Sequence, residues 1–424
     1  MKTAARPLLA LLPLALLAAC QQQTSPEATG KPGEVRVWPL LAEQGAAQPD
    51  LAVASDGRIL LSWMSVRPGR DNALQFAAFG TDGRWQSTPK TIAVGEALLS
   101  NWADTPHIMA TPDGALWVSW LQKTSAEFRE YDLQVSRSGN RGFNWSAPAT
   151  VNRDQGGEHG FASLWPASQA TLGIAWLNPA NADSSSDAPV NKGDTAEHAA
   201  HAGGMSLLAA TYDSGLQRTV ETTLDAVTCE CCQTDVALAA AGPVIVYRDR
   251  DAGEIRDIAA VRYDGKAWSA PVRVHADNWK MPACPVNGPA VAANGNNVVA
   301  AWYSAANDQA AVQIALSRDG GATFDAPIRV DHGPAVLGRV DVAYDKDGAW
   351  ILWLRENAGA QSLWLARYSS DLKRETQRSE IAKLQGRGNA TGFPKLALRA
   401  DGAYAVWTDV VDGQPRLKGA QVMR

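Results

Sequence analysis

Residues 49–63 read PDLAVASDGRILLSW, and the pattern that they begin decides the fold of the chain. A short apolar segment leads to a turn at Asp56 and Gly57, and an alternating apolar run then ends in Trp63. An Asp-Gly pair supplies the positive φ that tight hairpin turns require, and the alternation gives each strand one buried face. The stretch therefore predicts a β-hairpin.

The same pattern occurs seven times along the chain. Later copies lie at residues 113–120, 170–176, 242–247, 295–302, 347–353 and 401–407. Most copies are followed by a third apolar strand, at residues 74–79, 133–136, 206–212, 258–263, 312–317 and 363–368. Four strands per unit, at roughly 40–50 residues or slightly more, are typical of propeller blades. We expect an all-β fold, a single β-propeller of four-stranded antiparallel blades, with seven blades, or six if one copy is degenerate.

The ends of the chain predict how the ring closes. The last repeat has a third strand near residues 417–422 and then the chain stops, whereas residues 35–40 have no hairpin partner nearby. Unpaired strand edges invite aggregation, and pairing these two segments removes them. We expect the N-terminal strand 35–40 to be the outer strand of the last blade.

The first residues predict the compartment. Lys2 and Arg6 precede an apolar run at residues 8–17, which is the layout of a secretory signal. The run ends in LAAC at residues 17–20, which resembles the lipobox of bacterial lipoproteins, and this implies lipidation of Cys20. An ordinary signal peptide is the alternative. We expect residues 1–19 to be the signal peptide, 20–32 a flexible tether and 33–424 the propeller.

Composition and the residue after the lipobox bear on partners and localisation. Hydrophobic residues make up 46% of the chain and the net charge is -5, which argues against a nucleic acid partner. The residue after Cys20 is Gln21, whereas an aspartate at this position would resemble an inner-membrane retention signal. We therefore expect membrane attachment through Cys20 at the outer membrane, facing the periplasm or the cell surface.

One segment resembles a known structural motif. Residues 317–324 read SRDGGATF and are similar to the Asp box, or BNR repeat, of the sialidase (neuraminidase) superfamily. The residues that match the motif are Ser317, Asp319, Gly321, Thr323 and Phe324. Weaker copies lie at residues 81–85, 136–145 and 263–268. The resemblance implies a propeller in which the box joins the third and fourth strands, on the face opposite the active site.

The same resemblance provides a test for sialidase chemistry. Sialidases bind the substrate carboxylate with three arginines, the first usually in an Arg-Ile-Pro motif, and use a Tyr/Glu pair and an aspartate for catalysis. The corresponding stretch here, residues 37–40, reads VWPL, and no Tyr/Glu pair can be placed by pattern. No catalytic residue is therefore carried over. Whether the protein is an enzyme stays open, with a sialidase-type glycoside hydrolase as the possibility to test.

Cysteines and histidines form the first group of candidate site residues. Cys229, Cys231 and Cys232 precede the first strand of the fourth blade, and Cys284 precedes that of the fifth. Four cysteines outside the cytoplasm are compatible with two disulfides, with a copper or zinc site, or with free thiols. Histidine is a common metal ligand, and the histidines considered with this group are His198, His201 and His275.

A second group is charged and falls on the face opposite the Asp boxes. Its members are Arg248, Asp249, Arg250, Arg256, Asp257, Arg339 and Asp341. The arginines could bind a carboxylate or sulfate through paired hydrogen bonds, or they could pair with the neighbouring aspartates. Residues 228–235, 247–250, 256–258, 284–289 and 338–342 together resemble a subfamily of bacterial sialidase-like lipoproteins of unknown role.

Together, these patterns predict a cell-envelope lipoprotein whose sialidase-like propeller binds a glycan or another envelope ligand. The loops between second and third strands, and those between blades, share one end of a propeller, called here the upper face. We expect the ligand there, because both groups of candidate residues fall in these loops. The alternatives are an exo-glycosidase and a copper- or zinc-binding protein.

Overall fold

Seven four-stranded antiparallel sheets follow one another along the chain, and each is one blade of a propeller. The computed structural model describes Met1 and residues 31–66, 69–125, 130–154, 156–179, 204–219 and 221–424. The first strands of successive blades contact one another around a ring, and the ring closes between the last blade and the first. The predicted all-β propeller with seven blades is confirmed, and the six-blade alternative is excluded. The predicted signal peptide and Cys20 lie outside the described residues.

Within each of the first six blades, the strands lie in chain order from the centre of the ring outward. Blade 1 contains β2 (Ala46–Val53), β3 (Ile59–Ser65), β4 (Asn72–Phe79) and β5 (Lys90–Gly95). Blade 2 contains β6 (His107–Ala110), β7 (Leu116–Lys123), β8 (Tyr131–Ser138) and β9 (Ala149–Thr150). Blade 3 contains β10 (Gly160–Pro166), β11 (Leu172–Pro179), β12 (Met205–Tyr212) and β13 (Thr222–Thr228).

The remaining blades repeat this arrangement. Blade 4 contains β14 (Asp235–Leu238), β15 (Pro243–Arg248), β16 (Ile258–Arg262) and β17 (Val272–Arg273). Blade 5 contains β18 (Ala290–Asn294), β19 (Asn297–Ser304), β20 (Ala311–Ser317) and β21 (Ile328–His332). Blade 6 contains β22 (Val336–Asp345), β23 (Gly348–Asn357), β24 (Ala360–Tyr368) and β25 (Glu375–Lys383). Blade 7 contains β26 (Lys395–Arg399), β27 (Gly402–Val411), β28 (Gln414–Met423) and β1 (Val35–Val37).

The N-terminal strand closes the ring as predicted. β1 pairs antiparallel with β28, with Val35 opposite Val422 and Val37 opposite Ala420. The strand is shorter than the predicted 35–40, although Trp38 N still donates to Gly419 O at 2.9 Å. Pro39 follows, and its missing backbone N–H prevents the ladder from continuing.

Helical structure contributes little to the described part of the chain. It is confined there to two short 3-10 turns, Ala306–Asp308 and Gly388–Thr391. No helix among the described residues is long and apolar enough to cross a membrane.

The aromatic residue that ends each repeat packs into the core between blades. These residues are buried and are Trp63, Trp120, Trp176, Tyr247, Trp302, Trp353 and Trp407. Each aromatic side chain removes roughly 150–250 Å² of surface from water, which makes it a dominant contribution to core packing. Because all seven lie on the second strand of their blade, the pattern read from residues 49–63 is also the packing unit of the fold.

The Asp box forms a closed turn between β20 and β21. Asp319 Oδ1 accepts hydrogen bonds from Ser317 Oγ at 2.8 Å and from Thr323 N at 2.9 Å. The pKa of Asp319 is lowered to about 2, because the hydrogen bonds from Thr323 and Ser317 outweigh the effect of burial. Phe324 packs against the core between blades 4 and 5. The box lies on the lower face, at the end opposite the upper-face loops.

Candidate functional site

Aspartates on or just before the inner strands join neighbouring blades. Each accepts a hydrogen bond at its Oδ2 from a backbone N–H of the next blade. The pairs are Asp50 with Ile108 (2.9 Å), Asp104 with Phe161 (2.8 Å), Asp235 with Val291 (2.7 Å) and Asp341 with Leu396 (2.6 Å). Asp341, predicted as a ligand-binding candidate, therefore links blade 6 to blade 7.

Burial of these carboxyl groups changes their protonation. Burial raises the pKa of Asp104 to about 7, against the lowering effect of the Phe161 N–H. Burial likewise raises the pKa of Asp341 to about 7, although the charge of Lys395 lowers it. Lys395 Nζ lies 3.9 Å from Asp50 Oδ1, so this group of charges surrounds the centre of the ring.

Arg248, at the end of β15, is buried, and its hydrogen bonds within the described part of the chain all go to backbone oxygens. Its guanidinium donates twice to Asn287 O, at 3.1 and 2.7 Å. It also donates to Arg256 O at 2.6 Å and to Tyr303 O at 2.8 Å. The side chain therefore fastens the entrance of blade 5 to blade 4.

Arg256 is equally buried but lies in an ion-pair network. Its guanidinium contacts Glu230 Oε2 at 2.9 Å and Glu254 Oε2 at 3.0 Å. Arg250 also pairs with Glu254, at 2.7 Å. The pKa of Arg256 is raised, since its interactions with Cys229 and Glu230, including hydrogen bonds, outweigh the effect of burial. These arginines pair with glutamates on the upper face, a partner type that the sequence had not indicated.

The two remaining aspartates of the charged group also have local partners. Asp257 accepts hydrogen bonds from the backbone N–H groups of Asn278 and Trp279, both at 3.0 Å. Asp249 accepts one from Arg250 N at 2.7 Å, and burial together with the charge of Asp225 raises its pKa to about 6.

Three thiols converge in the loop that leads into blade 4. Cys229 Sγ lies 3.3 Å from Cys232 Sγ and 3.8 Å from Cys231 Sγ. All three ligand atoms lie within 4.8 Å of one another. Cys284 stands beside them, with its Sγ 3.6 Å from Glu230 Oε1. All four cysteines are free thiols in the structure.

The surroundings of the thiols separate their acidities. Burial raises the pKa of Cys229 to about 11. Burial also acts on Cys232, but hydrogen bonds from Cys229 and Cys231 and the charge of Arg248 outweigh it and hold the pKa of Cys232 well below its usual range.

Tight packing fixes the cysteine loop against the loop that carries Cys284. Gly288 N donates to Gln233 Oε1 at 3.0 Å, while Gln233 Nε2 donates to Ala103 O at 2.6 Å. A Cβ on Gly288 would lie 2.3 Å from Gln233 O, so only glycine allows the two loops to approach this closely.

A cleft of about 790 Å³ opens on the upper face beside the cysteines, and we call it the upper cleft. Its walls come from the entrances of blades 5, 6 and 7 and from Trp102 in the loop between blades 1 and 2. The lining side chains that matter below are Trp102, Trp279, Cys284, Asn287, Tyr303, Arg339 and Asn389. Pockets for small ligands usually occupy about 300–1,000 Å³ and combine apolar walls with a few polar groups.

Arg339 is the buried cation of this cleft. Its Nη1 donates at 3.0 Å to Gly388 O, Thr391 Oγ1 and Gly392 O, which are neutral acceptors. Its guanidinium lies 5.0 Å from the centre of the Trp102 ring. Its hydrogen-bond acceptors among the described residues are all neutral, and burial lowers its pKa to about 10 despite the charge of Glu356.

A distortion of β22 places Arg339 in this position. Gly338 and Arg339 have φ values of 77° and 52°, and the register between β22 and β23 shifts on both sides of Gly338. A Cβ at Gly338 would lie 2.5 Å from Asn287 Oδ1, the atom that accepts a hydrogen bond from Arg339 N at 2.7 Å. The Gly-Arg pair is therefore needed to bring the guanidinium into the cleft.

The predicted histidines do not join the thiols in the described part of the chain. His275 Nε2 lies 3.8 Å from Asp277 Oδ1, and the convergent ligand group found there consists of cysteines alone. His198 and His201 lie outside the described residues.

A second cleft, of about 820 Å³, lies on the lower face between blades 3 and 4. Its walls include Trp165, Tyr263 and Trp268, and it contains none of the candidate site residues. We therefore consider the upper cleft the better site, although it is slightly smaller.

Sequence reasoning missed most of the upper cleft. Trp102, Trp279, Tyr303 and Asn389 were not considered, because they come from three separate loops and from the end of β19. It also missed that Cys229 and Cys232 have the Cys-x-x-Cys spacing. A tryptophan outside a predicted strand, such as Trp102, was the signal that could have pointed to the cleft.

Comparison with known proteins supports the fold and goes no further. No family model matches the sequence, and no curated protein is significantly similar to it. A protein of unknown function from Dyadobacter fermentans is 13% identical, with a TM-score of 0.51 over 93% of this chain and 98% of that chain. Polysaccharide lyase Uly1 is 10% identical, with a TM-score of 0.51 over 96% of this chain and 94% of that chain.

The similar structures also include Trypanosoma rangeli sialidase, which is 11% identical, with a TM-score of 0.43 over 80% of this chain and 56% of that chain. The propeller expected from the Asp box is confirmed at the level of the fold by the seven four-stranded sheets themselves. Identities this low show the fold alone.

Proposed function

We propose that the upper cleft binds an anionic glycan and that Arg339 contacts the carboxylate or sulfate group of that ligand. The observation that carries the proposal is the guanidinium itself. The residue is only 8% exposed and lines a cleft of about 790 Å³, and its guanidinium faces neutral acceptors. A buried charge without an ionic partner is costly, and an anion bound in the cleft would offset that cost.

The walls of the cleft suit a sugar ligand. Trp102 and Tyr303 are half-buried and offer aromatic surface, while Asn389 is exposed and offers amide hydrogen-bonding groups. Because the whole chain has a net charge of -5, attraction of an anion has to come from local groups rather than from the overall field. Uly1, which shares the fold, is a polysaccharide lyase, and this agrees with a glycan ligand.

Calorimetric titration with matched oligosaccharides tests the proposal. We expect uronate-containing and sulfated oligosaccharides to bind, and neutral oligosaccharides of the same length to bind at least about 10-fold more weakly. Arg339→Met should weaken binding of the acidic ligands by roughly 10- to 150-fold, since a hydrogen bond to a charged group contributes about 1.5–3 kcal/mol. Trp102→Ala, which leaves the Arg339 hydrogen bonds in place, should also weaken binding.

Arg318→Met is the matched control. Arg318 lies in the Asp box on the lower face and pairs with the exposed Asp325, at 3.3 Å. This variant should bind as the wild type does, and thermal unfolding of every variant shows whether the fold is kept. Unchanged affinity in a folded Arg339→Met variant, or no binding of any acidic glycan, would contradict the proposal.

The expected lipid anchor would place the cleft in the cell envelope. We propose attachment through Cys20 at the outer membrane. The Cys20→Ala substitution should move the protein from the membrane fraction to the soluble fraction, as measured by cell fractionation. Continued membrane attachment of this variant would exclude the anchor.

A further inference from the structure

The thiol cluster beside the upper cleft has the geometry of a metal site. Three thiolates bonded to one ion at about 2.3 Å, at tetrahedral angles, lie about 3.8 Å from one another. Cys229 Sγ lies 3.8 Å from Cys231 Sγ and 3.3 Å from Cys232 Sγ, and the three atoms fit within 4.8 Å. Adjustments of a fraction of an ångström would place all three sulfurs on one ion.

The backbone holds the three thiols in this arrangement. Cys229 N donates to Arg248 O at 3.0 Å, which continues the contact between Thr228 and Asp249 beyond the end of β13. At the other end of the loop, Thr234 Oγ1 donates to Phe161 O at 2.7 Å. The cluster is therefore anchored on both sides to strands of the ring, and Cys229 and Cys232 are 1% exposed.

A buried group of thiolates needs positive charge nearby, and the structure supplies it. Arg256 is 2% exposed, and its Nη1 donates to Cys229 Sγ at 3.2 Å. The same guanidinium is held in place by Glu230, at 2.9 Å. Hydrogen bonds to ligating sulfurs are typical second-sphere contacts of metal sites, which orient the ligands and adjust the charge of the site.

We propose that Cys229, Cys231 and Cys232 bind one thiophilic d10 ion, Cu(I) or Zn(II). Thiolate ligands select these ions over hard cations such as Mg²⁺ or Ca²⁺. Binding displaces to solvent the protons that the thiols still carry, and no electron is transferred. Cys231 is half-buried and Cys284 lines the upper cleft, so the cleft side of the cluster is where a fourth ligand would join. The proposal does not depend on glycan binding.

Metal analysis of the full-length protein, extracted from the membrane under anaerobic conditions, tests the assignment. The reduced protein is offered Cu(I) or Zn(II) in the presence of a chromogenic chelator specific for each ion. We expect one equivalent of one ion to be retained, with three sulfur neighbours at about 2.2–2.3 Å by X-ray absorption. The metal is identified as the ion that the protein retains against the chelator specific for it.

Variants separate the cluster from its surroundings. Loss of a second-sphere partner typically weakens metal affinity by roughly 10- to 100-fold. Cys231→Ser removes a ligand and should weaken metal affinity by more than this. Cys231 is half-buried, so this change should leave the fold intact, and Cys232→Ser provides a second test. Cys284→Ser distinguishes a three-sulfur site from a four-sulfur site. His275→Ala is the matched control and should retain the metal.

Three results would overturn the proposal. They are failure of the reduced protein to retain either ion, unchanged affinity in folded Cys231→Ser and Cys232→Ser variants, and a disulfide within the cluster in the isolated protein. None of these results would affect titration of the upper cleft with acidic glycans, so the two proposals can fail separately.

Discussion

Replacing Gly338 by alanine should damage both the stability of the propeller and the upper cleft. The added Cβ would lie 2.5 Å from Asn287 Oδ1 and 2.7 Å from Tyr303 Cβ. The residue would also have to keep a φ of 77°. Asn287 Oδ1 accepts the hydrogen bond from Arg339 N, so the clash falls on the contact that positions the guanidinium.

The expected loss of stability follows from two costs. A left-handed backbone costs an L-residue roughly 1–2 kcal/mol, and overpacking at a filled position typically costs about 1–3 kcal/mol more. Together they lower the free energy of unfolding by about 2–5 kcal/mol. Gly295→Ala is a matched control, because Gly295 has a φ of 63° and no heavy atom within 4 Å of the added Cβ. It should lose only the backbone cost, about 1–2 kcal/mol.

Urea unfolding of the two variants measures the difference, and titration with an acidic oligosaccharide measures the effect on the cleft. We expect Gly338→Ala to be the less stable variant and the only one of the pair with weakened binding. Equal losses of stability in both variants, with equal ligand affinity, would refute the account of the Gly338-Arg339 distortion given above.

Two further predictions concern groups outside the cleft. The folded pKa of Asp104 is about 7, above its unfolded value, so the folded state holds a proton that the unfolded state releases between about pH 4 and 7. Stability should therefore fall as the pH rises through this range, by up to about 1.4 kcal/mol per pH unit for this group, and urea unfolding of Asp104→Asn should show a shallower decline. An unchanged slope would exclude this role. Asp319→Ala removes the acceptor of the Asp box and should cost about 1–2 kcal/mol in urea unfolding. Its glycan affinity should equal that of the wild type, and altered affinity would place the ligand elsewhere.

The fold could be predicted from the sequence because its unit is local. The turn at Asp56 and Gly57 and the aromatic residue Trp63 lie within one hairpin, and the same signals recur in each blade. Closure by the N-terminal strand was also predictable, since β1 and β28 were the segments left without partners. The predicted range of 35–40 was too long, because Pro39 ends the ladder early.

The upper cleft could not be predicted, because the ring brings together residues that are far apart in sequence. Trp102 and Arg339 are separated by more than half of the chain, yet the guanidinium lies 5.0 Å from the ring centre. The thiol cluster was easier to identify, since Cys229, Cys231 and Cys232 are neighbours in sequence. The charge pattern alone placed Asp341 in the same group as Arg339. In the structure Asp341 links blade 6 to blade 7, whereas Arg339 lines the upper cleft.

One missed pattern was present in the sequence. Asp50, Asp235 and Asp341 each precede an apolar residue and an alanine on an inner strand. In the structure each of them accepts a backbone N–H from the next blade. A repeated aspartate at the same position of a repeated strand is thus better explained by contact between blades than by ligand binding.

Arg248 and Arg339 show why counting arginines does not identify a site for an anion. Both residues are buried, with 2% and 8% exposure, and both guanidinium groups donate to backbone oxygens near the entrances of blades. Arg248 donates from its Nε and both Nη groups to backbone oxygens, so all three nitrogens are already engaged in linking blades 4 and 5. Arg339 Nε has no acceptor among the described residues, and Nη2 reaches only Asn389 Oδ1, at 3.4 Å. Since Arg339 also lines the cleft, its unused donors are the ones that an anionic ligand can satisfy.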